Sequence, residues 1–139
     1  MVKQISVFLQ NRPGTLAELT KILIDNNIYM RALTVADTAD YGIIRLIVDD
    51  PDKALKILKS RDYLVSETDV IAVEVENKTE GIYEIASTLG EMKINIDYLY
   101  TTLKQGKTII IIRVSDIETA LEALRSGGFR LVSEEEIYQ

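Results

Sequence analysis

The segment NRPGTLAELT, residues 11–20, joins two apolar patterns of different period. Ahead of it, Ile5, Val7 and Leu9 fall on every second position, the spacing that places them on one face of a half-buried strand. Behind it, Leu16, Leu19, Ile22 and Leu23 share one face of a helix. The residues between them have turn chemistry. Pro13 fixes its own φ and pushes Arg12 toward extended backbone, while Gly14 carries no Cβ. Thr15 and Glu18 have the spacing of a capping box. A strand, a stiff bare corner and a fresh helix N-terminus are expected here.

The segment NKTEGIYEIA, residues 77–86, is a degraded copy, and the chain matches itself without gaps at an offset of 66. Ile5, Val7 and Asn11 fall on Ile71, Val73 and Asn77. Glu18, Leu23, Ile28 and Leu33 fall on Glu84, Leu89, Ile94 and Leu99. Further along, Ala54, Leu55 and Leu58 fall on Ala120, Leu121 and Leu124, Tyr63 on Phe129, and Ile71 itself on Ile137. Agreement of that extent marks a tandem duplication, with units expected over 1–70 and 71–139.

Each unit reads alike. After the first strand and helix, Asn26-Asn27 supplies the left-handed geometry of a helix end. A second strand is expected over 28–35, a turn over Asp37–Gly42 and a third strand over 42–48. A helix is expected over 50–59 with Pro51 in its first turn, then a strand within 63–70 that runs on toward Val73. The order β-α-β-β-α-β is the ferredoxin-like unit. The fold class is therefore α+β, two such units in tandem, each an antiparallel sheet with helices on one face. The third strands, GIIRLIV and TIIIIRV, are apolar almost without alternation, as strands buried on both faces are. Two helices cover one face only, so a homodimer or higher homo-oligomer is expected to cover the other.

Composition narrows the chemistry. A net charge of −6 and the lack of a basic cluster count against nucleic acid, although Tyr98 and Tyr100 alternate along one strand as stacking aromatics would. No apolar run approaches the roughly 20 residues of a membrane helix. Together with zero cysteines, this favours the cytoplasm as the expected location. Without histidine or cysteine, the commonest general base and the best nucleophile are missing, so no enzymatic activity is expected. Asp49, Asp50 and Asp52 fit an acidic helix start better than a metal site, and Glu134-Glu135-Glu136 fits a solvated face. No metal and no cofactor are expected.

A strand, then Asn11-Arg12-Pro13-Gly14-Thr15-Leu16, then an amphipathic helix closing in Asn26-Asn27-Ile28, all within a βαββαβ unit, resembles the ACT domain. The doubling over the whole chain resembles stand-alone tandem ACT proteins. That resemblance implies a regulatory module binding an amino acid or similar small molecule at the first loop, near a seam between two units. It also implies a second polar contact at the start of the strand after the helix, which is Tyr29 in one unit and Asn95 in the other. The chemistry of the corner agrees. A helix N-terminus offers unpaired N–H groups to a carboxylate, Gly14 admits close approach, and Asn11 can serve an ammonium or a carboxylate. The candidate ligand residues are thus Asn11, Arg12, Pro13, Gly14, Thr15, Leu16, Tyr29, Asn77 and Asn95. The second loop lacks Pro-Gly and carries Glu80, which makes it the poorer anion seat. Gly14→Val is expected to abolish binding and Gly81→Val to leave affinity within a few-fold. Tyr29, Leu16, Tyr98 and Tyr100 favour a branched-chain or aromatic side chain on the ligand. The alternative is an interaction subunit, with no ligand of its own, that docks onto an enzyme or another ACT protein.

Overall fold

The computed structural model describes residues 1–37 and 41–139, so the middle of the turn expected over Asp37–Gly42 lies outside the described residues. The first repeat holds β1 (Val2–Gln10), α1 (Thr15–Asp25), β2 (Met30–Asp37), β3 (Tyr41–Val48) and α2 (Pro51–Ser60). Then come β4 (Leu64–Val75), α3 (Lys78–Glu91), β5 (Ile96–Lys104), β6 (Lys107–Val114), α4 (Ile117–Ser126), β7 (Arg130–Leu131) and α5 (Glu134–Tyr138). The chain divides into two compact units. One is Lys3–Thr68 with Tyr138–Gln139, the other Asp69–Ile137 with Met1–Val2, so the boundary falls inside β4.

In the N-terminal unit β3 is antiparallel to both β1 and β2, with Ile5 opposite Leu46 and Val7 opposite Ile44. Those four side chains project to one face and meet Leu19 and Leu23 of α1 and Ala54 and Leu58 of α2. The period-two and helical patterns of the sequence therefore converge on one core. At about 25 cal/mol per Å2 of apolar surface, burying each such side chain contributes roughly 1.5–3 kcal/mol. The C-terminal unit repeats the plan. Ile71 and Val73 of β4 lie opposite Ile112 and Ile110 of β6, and the core adds Ile85 and Leu89 of α3 with Ala120 and Leu124 of α4. The expected α+β class, two tandem ferredoxin-like units with antiparallel sheets, is the fold observed.

The copies part at their ends. The repeat predicts a last strand in the second unit like the one after Tyr63, yet β7 pairs only Arg130 and Leu131 with β4 before the chain turns into α5. Ser133 and Glu136 cause the turn. The Ser133 hydroxyl accepts from Glu136 N–H at 3.2 Å, and Glu136 Oε1 accepts from Ser133 N–H and hydroxyl at 3.5 and 3.2 Å. That reciprocal pair is a capping box within the acidic run read as a plain solvated face. In β6, Ile109 and Ile111 alternate with the core residues Ile110 and Ile112 and are themselves 1% and 0% exposed, so both faces of this apolar strand are buried as its pattern implies.

Candidate functional site

Between β1 and α1 the backbone makes a tight corner. Arg12 N–H donates to the Gln10 carbonyl at 2.9 Å, and the Arg12 carbonyl accepts from Thr15 N–H and hydroxyl at 3.5 and 3.1 Å. Gly14, at φ +90°, is the N-cap of α1, and its carbonyl accepts the first helical bond from Glu18 N–H at 3.0 Å. An N-cap without a side chain leaves the N–H groups of Leu16 and Ala17 without an intrahelical acceptor or a capping oxygen. In α2, α3 and α4 the N-cap side chain closes one such group, the third helical N–H. Asp50 accepts from Lys53 N–H at 3.2 Å, Asn77 from Glu80 N–H at 2.9 Å, and Asp116 from Thr119 N–H at 3.2 Å. The capping box expected from Thr15 and Glu18 does not form, because Thr15 is already the first helical residue. Glu18 lies 3.9 Å from Arg12 instead.

The second copy shows what Pro13 and Gly14 accomplish. Arg12 corresponds to Lys78 and Thr15 to Gly81, yet α3 starts at Lys78 where α1 starts at Thr15. Residues that form an open corner in one unit are the first helical turn of the other. Pro13 disfavours helical backbone at Arg12 and Gly14 takes a left-handed conformation that interrupts the turn, whereas Thr79 and Glu80 continue it. Gly81 has a separate duty, since a Cβ there would sit 2.7 Å from a Val75 methyl carbon.

The structure keeps Asn11, Arg12, Pro13, Gly14, Thr15 and Leu16 together on the surface, all but Thr15 exposed. Asn11 Nδ2 donates to Asp37 Oδ1 at 3.0 Å and ties the corner to the end of β2. Tyr29 lies past the far end of α1, a helix of 11 residues and so about 16 Å long. Its N–H donates to Asp49 Oδ1 at 3.0 Å and its carbonyl accepts from Asp49 N–H at 3.0 Å. Asn77 and Asn95 are likewise at opposite ends of α3. Asn77 caps the helix, and Asn95 Nδ2 donates to Asp97 Oδ1 at 2.9 Å. Tyr100 is 8% exposed, too buried for the base-stacking considered from the sequence.

A family model, the ACT domain pair, matches residues 1–139. The chain belongs to the ACT domain family, as a pair. No curated protein matches it. Among solved structures, protein BT0572 from Bacteroides thetaiotaomicron is 34% identical, with 99% of this chain and 96% of that one covered at a TM-score of 0.92. The regulatory subunit of aspartate kinase from Thermus thermophilus, in ligand-free form, is 15% identical, with 89% and 91% covered at a TM-score of 0.65. Its counterpart from Thermus flavus is 17% identical, with 88% of each chain covered at 0.64. At that identity the kinase subunits share the ACT fold and no more.

Each ACT unit also holds a groove beside its first corner, and the two occupy corresponding positions. In the N-terminal unit a groove of about 390 Å3 runs from Arg12, Thr15 and Glu18 to the turn between α2 and β4, where Arg61, Asp62 and Tyr63 form the opposite wall. Phe8 and Tyr41 add aromatic surface. In the C-terminal ACT unit a groove of about 410 Å3 is lined by Glu74, Glu76, Glu80 and Glu84, with Arg130 as its cation. Arg130 is already held by Glu74 at 3.3 Å and Glu136 at 2.7 Å. Sequence reasoning missed the wall formed by Arg61 to Tyr63. Its one signal was the alignment of Tyr63 with Phe129, which kept an aromatic ring at both walls.

Proposed function

We propose that this ACT pair is a non-catalytic regulatory protein that senses an amino acid at the corner Asn11–Leu16. The observation that carries the reading is the open start of α1. Gly14 has no side chain to cap the N–H groups of Leu16 and Ala17, while Asp50, Asn77 and Asp116 each accept from the N–H that corresponds to Ala17's in α2, α3 and α4. A carboxylate seated there gains two hydrogen bonds and the favourable end of the helix dipole. Absence of histidine and cysteine from the sequence supports the non-catalytic part. Thermal-shift measurement against the twenty common amino acids tests it, because a ligand that binds the folded chain raises its Tm with concentration. A wild-type Tm unmoved by any of them at millimolar concentration rejects the sensor.

One observation favours a second reading, a docking subunit. β2 ends the strand order and exposes Leu33 and Val35 at 38% and 55%. An edge strand with apolar side chains on view accepts another strand, either from a second copy or from a partner protein.

A further inference from the structure

We infer that β2 pairs antiparallel with β2 of a second copy of this chain, centred on Thr34. This rests on the docking reading and adds to it the occupant and the register. Met30–Asp37 carries neither lysine nor proline, the residues that commonly protect an edge. Its one irregularity, between Met30 and Ala32, lies at the start and leaves Ala32–Asp37 in regular register with β3. The strand and its approach expose Tyr29, Met30, Leu33 and Val35. A free ladder beside that apolar surface gains hydrogen bonds and burial together when a strand joins it.

The strand's own sequence selects a copy of itself. Pairing about Thr34 sets Leu33 of each copy against Val35 of the other, and Arg31 against Asp37. Each apolar pair and each opposite-charge pair then arises twice across one two-fold axis. A shift of two residues either way sets Arg31 against Val35 or Leu33 against Asp37. A shift of one puts the apolar side chains of the two copies on opposite faces. Asp37 Oδ1 accepts from Asn11 Nδ2 at 3.0 Å, and Arg31 Nε donates to the Tyr138 carbonyl at 3.0 Å. A carboxylate receives several donors and a guanidinium carries five N–H groups, so both side chains can add the contact.

The opposite edge, β5, is the duplicated copy of this strand and an internal control. Tyr29, Arg31, Val35 and Asp37 fall on Asn95, Asp97, Thr101 and Leu103. The same pairing there sets Asp97 against Leu103 and forms no charge pair. Self-complementarity thus belongs to β2, and pairing at one edge closes a dimer without continuing into a fibre.

The test uses the full chain, which has no cysteine of its own. Wild type sediments as a dimer at micromolar concentration. Opposite residues of antiparallel strands lie about 4.5–5.5 Å apart at Cα, within disulfide reach, so Thr34→Cys links two copies on mild oxidation. Ala36→Cys, offset from its own counterpart by about 13 Å along the strand, does not link. Arg31→Glu and Asp37→Arg each weaken the dimer at least tenfold, because like charges then face each other. Mixing the two variants restores it to within threefold, since every reversed charge meets an opposite one, and that recovery requires both variants to be folded. A wild-type monomer overturns the second copy as occupant and leaves the edge to a strand from another protein. A dimer that Val35→Lys dissolves, with no Thr34→Cys link and no recovery on mixing, overturns the register and leaves docking at β2 standing. A dimer indifferent to Val35→Lys overturns both.

Discussion

Two glycines 67 positions apart in sequence look interchangeable and are not. Gly14 is needed for its backbone. A Cβ there would meet nothing within 4 Å, yet φ +90° is a conformation that L side chains rarely adopt. Gly14→Val is expected to cost about 1–2 kcal/mol of stability and to remove amino-acid binding, because the chain relaxes by turning the first N–H groups of α1 away. Thermal melting and calorimetry read the two effects separately. Gly81 is needed for its absence of bulk, with a Cβ position 2.7 Å from Val75. The sequence expects Gly81→Val to change affinity only a few-fold, and the packing adds that it lowers stability. Overpacking of this kind costs about 1–3 kcal/mol, and Val75→Ala in the same chain should return most of it. If the double variant melts no higher than Gly81→Val alone, the contact with Val75 is not the cause. The sequence showed that the second loop had lost Pro-Gly, but only the coordinates show that its remaining glycine is pressed against a strand.

At the level of helices and strands, what was legible followed strong local periodicity. β1, α1, β3 and α2 fall within two or three residues of their expected bounds, since apolar spacing and the Asn26-Asn27, Asp50-Pro51 punctuation agree there. What was not legible turned on competition between signals. The repeat argued for a strand after Phe129, and the capping box of Ser133 and Glu136 won because it satisfies helix N–H groups locally. Helix capping also sets a pH dependence. Hydrogen bonds from the Thr119 hydroxyl and N–H hold the Asp116 carboxyl below its ordinary pKa, and Ser133 N–H, aided by Arg130, does the same for Glu136. A carboxylate with a lowered folded-state pKa adds stability that is complete above its unfolded pKa, about 4. That stability disappears as pH falls through the lowered value. Urea midpoints of wild type should therefore drop between about pH 5 and pH 2. Asp116→Asn keeps the cap and flattens that slope, since asparagine accepts the same bond without titrating. An unchanged slope in Asp116→Asn assigns the acid sensitivity elsewhere. Asn77→Ala, which removes a cap with no charge, should lower stability by about 1 kcal/mol at every pH.

For the molecule as a whole, the sequence argues self-association from apolar third strands, and Ile109 and Ile111 of β6 are buried at 1% and 0% exposure. A strand pattern reports that both faces are covered and is silent on what covers them. A separate case for a second copy rests on β2. Leu33 and Val35 lie opposite Leu46 and Ile44, so they point to the helix side of the sheet, but at the edge they stay 38% and 55% exposed. A strand with one free ladder and two such side chains gains both hydrogen bonds and apolar burial by pairing. Under the docking reading, sedimentation at micromolar concentration shows a dimer, and Val35→Lys converts it to monomer, because a lysine on an edge strand opposes pairing. The same variant leaves amino-acid affinity at the corner Asn11–Leu16 unchanged, since Val35 is not one of its residues and makes none of its hydrogen bonds. A wild-type monomer at that concentration removes self-pairing through β2. Loss of affinity in a folded Val35→Lys chain would instead mean that the edge and the corner act together.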